Sequence, residues 1–265
     1  VGKKSQFKTN PFMKKFYPLF FLLAMCHNIF AQTTCITIIG DRTSGKFKQA
    51  HIADWHPNSA DTSQPEIVAA AWTCISGGYP TCNYRAIFRY DVSAVPANAI
   101  ISSAKLYLYA KTNNINGNPG NPTYGSNNVA LLQKATSPWQ LATVGWNSQP
   151  TVSAADQKTL PQSTSTRQNY VVDVTDFVQG WVNKPDSNYG MLLRLQTEQY
   201  YNSMVFNSGQ AADSLKPRLE ICYTVPPPPT SCTNSLIIRG NPTDGKFRQA
   251  LMGTTNKVAS DTSQP

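Results

Sequence analysis

Charge is scarce in this chain: 14% of its 265 residues are Asp, Glu, Lys or Arg, too few for a coiled coil or a charge-driven disordered tail. Histidine is scarcer, and only His51 and His56 follow the N-terminal leader, which leaves a serine-type triad little material. The sequence has no Gly-x-Ser-x-Gly elbow, no zinc-type cysteine spacing and no Asp-x-Asp-x-Asp string. Beyond the leader no apolar run is long enough to cross a bilayer, so no integral membrane span is expected. What is there is a chain 40% hydrophobic and 11% aromatic, with 19 prolines and abundant Thr, Ser and Asn. That composition can fill a core and favours strands and turns.

The leader is the most specific local signal. Met13-Lys14-Lys15 supplies a positive n-region, Phe16 to Met25 an apolar h-region, and Ile29-Phe30-Ala31 a cleavage site before Gln32. Leu23-Ala24-Met25-Cys26 does not fit a lipoprotein acceptor, because Met25 stands where a small residue is required. The expected mature protein is therefore exported, extracellular or on the cell surface. The formal charge of +9 owes much to this leader, and residues 32–265 carry 18 basic against 14 acidic side chains. That near-balance argues against a nucleic-acid partner.

Export permits disulfides. Cys74 and Cys82 bracket a turn-forming Ile-Ser-Gly-Gly-Tyr-Pro-Thr stretch and are expected to clip it. Cys35 opens the first apolar run and Cys222 closes the last before a proline run, so these two are expected to staple the ends of a domain. Cys232 is left over, and an internal repeat accounts for it. Residues 45–65 return at 245–265, with ten of twenty-one positions identical, including Gly-Lys-Phe at 45 and 245 and Asp-Thr-Ser-Gln-Pro at 61 and 261. The expected organisation is a leader over 1–31, one full unit over 32–225, a Pro-rich linker over 226–231 and the start of a second unit over 232–265, so the chain reads as a fragment.

Within the full unit, period-two alternation dominates. Ala86, Phe88 and Tyr90 alternate with Arg85, Ile87, Arg89 and Asp91, and Ala104, Leu106, Leu108 and Ala110 with Lys105, Tyr107, Tyr109 and Lys111. Segments 129–132, 170–172, 191–195, 204–206 and 219–223 read as further strands. Asp173 to Val182 instead spaces Val174, Phe177, Val178 and Trp181 as an amphipathic helix with Asp173 as N-cap. Thr112 to Asn128, rich in Asn, Gly and Pro, is a long loop. The fold class is all-β, a β-sandwich or jelly roll with one short amphipathic helix.

Several short motifs then follow one another in a familiar order. Arg85-Ala86-Ile87-Phe88-Arg89-Tyr90-Asp91-Val92-Ser93, Val95-Pro96 and Ile101 to Tyr109 come first. Trp139, Val144-Gly145-Trp146-Asn147-Ser148-Gln149-Pro150, the helix, Asn188-Tyr189-Gly190-Met191-Leu192-Leu193 and Lys216-Pro217-Arg218-Leu219 come after. The string over residues 36–224 resembles the DNRLRE domain family, also classed as carbohydrate-binding module family ninety-six. The resemblance implies a non-catalytic sandwich appended to secreted polysaccharide-acting or cell-surface proteins. The same pattern is similar to the propeptide fold of transforming growth factor β precursors, so the scaffold alone does not settle function.

The residues themselves fit binding better than catalysis. Asp173 and Asp176 read as helix capping and dipole partners rather than a glycosidase pair. His51 and His56 read as solvated loop residues, since the repeat has Leu251 and Asn256 in their places. No cofactor is expected, although a structural calcium ion is compatible with an exported sandwich. Sugar binding asks for flat aromatic faces with polar or cationic neighbours. Lys105, Tyr107, Tyr109 and Lys111 offer one such face, expected to be extended by Arg85, Arg89 and Arg194 toward an acidic polysaccharide. Trp55, Trp72, Tyr79, Tyr200 and Tyr201 offer a second, from loops, while Trp139, Trp146 and Trp181 read as core. The expected function is non-catalytic carbohydrate binding in a multidomain exported protein, with no feature calling for an oligomer. The alternatives are a structural spacer, or an accessory part of a polysaccharide-degrading enzyme.

Overall fold

The computed structural model describes residues 32–74 and 79–227. The leader over 1–31, the linker from 228, Cys232 and the second unit lie outside the described residues, as does the side chain of Tyr79. The strands in chain order are β1 (Thr33–Ile39), β2 (Phe47–Ala53), β3 (Glu66–Cys74), β4 (Tyr79–Tyr90), β5 (Ile100–Leu108), β6 (Thr123–Tyr124), β7 (Ala130–Lys134), β8 (Lys158–Leu160), β9 (Tyr170–Asp173), β10 (Met191–Leu195), β11 (Asn202–Asn207) and β12 (Arg218–Thr224). One α-helix among the described residues, α1 (Thr175–Asn183), follows β9.

Two antiparallel sheets result. The smaller runs β1-β12-β5-β9, and the larger runs β6-β11-β3-β4-β10-β7-β8 with β2 paired to β4. The main core lies where inward residues of both sheets meet: Ala104, Leu106 and Leu108 of β5 and Leu219 and Ile221 of β12 with Phe88 of β4, Met191 and Leu193 of β10 and Met204 and Phe206 of β11. All of these are fully buried. The alternation read from β5 therefore follows from one face meeting the core and the other not, whereas on β4 the opposite face also buries Ile87 in a smaller cluster.

The helix starts one residue later than the expected Asp173 cap places it. Val174 occupies the N-cap position and offers no side-chain cap. Asp173 still serves the helix, because its Oδ1 accepts from the Thr175 N–H at 2.9 Å, and these bonds from Thr175 hold its carboxyl below the usual range. The buried stripe of Phe177, Val178, Trp181 and Val182 joins the main core. Gln179 and Thr175 accept the Ile101 and Ala104 N–H groups of β5 at 2.8 and 2.9 Å, so the helix continues the sheet's hydrogen bonding past the end of β9.

Both expected disulfides are formed. Cys35 and Cys222 face each other across the β1–β12 pair with 4.0 Å between Cα atoms, and Cys74 and Cys82 join β3 to β4 with 5.8 Å between theirs. Among the described residues, no helix is long and apolar enough to cross a membrane.

Candidate functional site

The face of β5 that carries Lys105 and Tyr107 is already occupied by neighbouring side chains. The register aligns Ile39, Arg218, Tyr107 and Val171 in one row and Thr37, Glu220, Lys105 and Asp173 in the next. The Arg218 guanidinium stacks 4.4 Å from the Tyr107 ring centre and 5.8 Å from that of Tyr109. The Tyr107 hydroxyl donates to Glu220 Oε2 at 2.6 Å, and this bond raises its pKa. Tyr107 is thus capped above by Arg218 and tied at its tip, while Lys105 lies in register between two carboxylates. Lys111 lies past the strand end, its N–H donating to the Val205 carbonyl at 3.1 Å.

The arginines expected to extend this face belong to the other sheet. Arg194 on β10 donates to Gln133 Oε1 at 3.0 Å and to the Leu195 carbonyl at 3.1 Å. Arg89 on β4 pairs in register with Lys48 and points a guanidinium N–H at the Asn188 carbonyl, 3.5 Å away. Arg85 makes a two-pronged ion pair with Glu198 at 2.7 and 2.9 Å, donates to Gln149 at 2.8 Å and covers the Trp146 ring at 4.1 Å. These contacts hold the 137–152 segment over a small apolar cluster of Ala50, Ile52, Ile87, Val144 and Leu192, against which Trp139 and Trp146 pack. The single basic aromatic face of the sequence reading is therefore divided between two sheets. Even alternation gives the phase of each strand but not which strands are neighbours.

Of the second group, Trp72, Tyr200 and Tyr201 come together, Trp72 from within β3 rather than from a loop, whereas Trp55 lies apart from them. Along β3, Ile67, Ala69 and Ala71 enter the main core, whereas Val68 and Ala70 join a separate cluster with Val205, Tyr84, Ala53 and the Cys74–Cys82 disulfide. Trp55 and Trp72 both pack on that cluster. The Trp72 ring meets Tyr124 and Tyr201 edge-on at 5.8 and 5.2 Å, and Tyr200 lies 5.9 Å from Tyr201. Tyr124, Tyr200 and Tyr201 remain 36%, 39% and 55% exposed, so a band of rings faces solvent on a packed base.

Beside that band runs an open cleft of about 520 Å³ lined by Tyr124, Gly125, Ser126, residues 163–166, Gln199, Tyr200, Tyr201 and Asn202. Every lining residue is uncharged. Asn202 fixes the rim, donating to the Gln199 and Tyr200 carbonyls at 3.0 and 3.1 Å and accepting from the Asn127 N–H at 2.8 Å. Gly125 has φ +108 and a Cβ there would strike Asn202 Oδ1, so the turn beside Tyr124 requires glycine. Tyr201, at φ 60, is held in the left-handed region. Tyr124 escaped the sequence reading because it sits in the Asn- and Gly-rich loop, where the adjoining glycine was the available signal.

Residues 66–223 match the sequence model of Carbohydrate-binding module family 96. The chain belongs to that family. Comparison with curated proteins gives no match. The family is one of carbohydrate-binding modules, and an aromatic band beside a polar cleft is the kind of surface that sugar binding uses. Among the described residues of this family 96 chain, no three His, Cys, Asp or Glu side chains converge as they would around a metal ion.

One of the two histidines departs from the sequence reading. His56 is exposed, but His51 lies within β2 at 5% exposure, its ring stacked 5.0 Å from Tyr84. Loop composition around residues 54–60 hid the fact that His51 is the fifth residue of a strand. Burial pushes its pKa down to about 4, against a smaller opposing effect of Asp61. The unfolded chain takes up a proton near 6.5 that the folded protein refuses until about 4. Stability is therefore full above pH 6.5, declines as pH falls between those values and levels off below. We expect this one residue to cost up to about 3 kcal/mol in acid, and a profile of Tm against pH should flatten over that window in His51→Leu.

Proposed function

We propose that this chain is an exported module that holds a polysaccharide on the band formed by Trp72, Tyr124, Tyr200 and Tyr201, without altering it chemically. The observation that carries the reading is the exposed ring band beside an uncharged cleft. Pyranose rings lay their C–H faces on aromatic rings, and their hydroxyls bond to amides and hydroxyls such as those of Gln199, Ser126 and Thr164. A lining without cations favours neutral sugar units. Tandem units on a proline linker would add avidity to weak single sites, which suits a multidomain secreted or surface protein.

Capture of an acidic polysaccharide on the Lys105, Tyr107, Tyr109 and Lys111 face is the alternative. The Arg218 cap on Tyr107 and the carboxylates flanking Lys105 weigh against it.

Affinity electrophoresis of the full chain with disulfides intact, in gels containing neutral glucans, alginate or pectin at low and moderate salt, separates the two. We expect retardation by a neutral glucan with little salt dependence, weakened about tenfold by Trp72→Ala or Tyr201→Ala. Retardation confined to the acidic polymers, lost with salt and with Lys105→Ala, would move the site to the β5 face. Migration unchanged in every gel would overturn glycan capture.

A further inference from the structure

A second cleft, of about 530 Å³, lies on the Trp55 side of the small cluster. Its floor comes from His51, Ala53 and Tyr84, and its rim from Trp55, His56 and the 59–64 loop. Two of the residues that line it each carry a buried polar atom with no hydrogen-bond partner: His51 its Nε2 and Gln64 its Oε1. An orphan of this kind costs on the order of 1–3 kcal/mol unless something fills it, and two in one cavity wall mark a place prepared for a polar guest. Several neighbouring polar groups are engaged. Asp61 Oδ1 accepts from Ser63 N and Oγ at 2.8 and 2.7 Å, Asp61 Oδ2 from Gln64 Nε2 at 3.3 Å, and the Asn116 amide donates to Glu66 at 2.7 Å.

The internal repeat separates what shapes this loop from the ring-bearing residues of the cleft. Asp61, Ser63 and Gln64, which shape the turn, return as Asp261, Ser263 and Gln264, whereas His51, Trp55 and His56 are replaced by Leu251, Thr255 and Asn256. The ring-bearing residues are thus not required by the turn itself. In the full unit the Trp55 and His56 rings lie 3.7 Å apart, an aromatic wall beside two unfilled polar atoms.

We propose that this cleft is a second glycan subsite, distinct from the Trp72 band, that takes one neutral sugar residue with its hydroxyls on His51 Nε2 and Gln64 Oε1 and its ring face against Trp55 and His56. Gln64 Oε1 is an acceptor only, so it calls for a donor, and a hydroxyl is both donor and acceptor for the imidazole. The proposal rests on the glycan-binding reading but not on the band. Its consequence is that the first and second units differ in what they bind.

The test follows the imidazole nitrogens of His51 by long-range ¹H–¹⁵N NMR on the full chain while methyl α-mannoside, methyl β-glucoside and methyl β-galactoside are titrated to millimolar concentrations. At least one glycoside should move the His51 resonance saturably, equally in Trp72→Ala, and about tenfold more weakly in Trp55→Ala and Gln64→Ala. Both of those side chains are partly exposed, which keeps the test independent of the buried His51. No shift with any glycoside overturns the subsite, as does a shift that Trp72→Ala abolishes and Trp55→Ala spares. A chain retained in the glucan gels whose His51 signal does not move would keep the band and lose the subsite. A moving His51 signal in a chain that no gel retains would do the reverse.

Discussion

Replacing Cys35 and Cys222 together by serine is expected to lower stability by about 3–5 kcal/mol, the largest effect of any change considered for this domain. The bond joins residues 187 positions apart, and closing so long a loop in the unfolded chain removes much of its freedom. The partners already sit opposite one another in the β1–β12 register, so the native strands need no displacement to make the bond. For a domain of this size the loss corresponds to a fall in Tm on the order of 10 °C, readable by calorimetry. A fall of only a degree or two would show that the unfolded state keeps its ends together without the bond.

Glu66→Ala should come next, at about 4 kcal/mol. Glu66 opens β3 with no solvent exposure, and its carboxylate accepts from the Ile115 N–H, the Asn116 N–H at 3.1 Å and the Asn116 side-chain amide at 2.7 Å. These bonds dock the 112–121 loop, which Asn114 braces from within by donating to the Asn116 and Asn118 carbonyls and accepting from the Gly120 N–H. Alanine would leave three donors without an acceptor. Glu66→Gln keeps one carbonyl but turns an amide toward an N–H, so it should recover part of the loss at most. Denaturant unfolding gives the magnitude. Amide exchange at residues 115 and 116 shows whether the loop has come away, and unchanged protection there in the alanine variant would count against the docking role.

These two sites mark what can be read from the sequence and what cannot. The Cys35–Cys222 bond follows from where the cysteines stand relative to apolar runs. Strands with one wet face, such as β5 and β12, declare their phase because Leu106 and Leu219 alternate with Tyr107 and Glu220. β3 does not, because Ile67 to Ala71 feed two apolar clusters on opposite faces and leave no polar alternation. Strand adjacency is also silent, which is why Arg194 and Tyr107 looked like partners although they belong to different sheets. The aromatic band was partly readable: Trp72, Tyr200 and Tyr201 are all aromatic, but only the β3–β11–β6 pairing brings Tyr124 to them.

The placement of the first and last strands has a mechanical consequence. The chain enters at Thr33 and leaves at Thr224, which are paired with each other at one end of the sheet. Tension along a string of such units would pull those ends apart like a zipper, the weak way to load an antiparallel pair. Only Thr33–Thr224 and Thr34–Tyr223 precede the Cys35–Cys222 bond, however, so after two pairs the load reaches a covalent link. In such a string force would pass through the sulfur atoms, and the rest of the sandwich would hang beside the line of tension rather than in it.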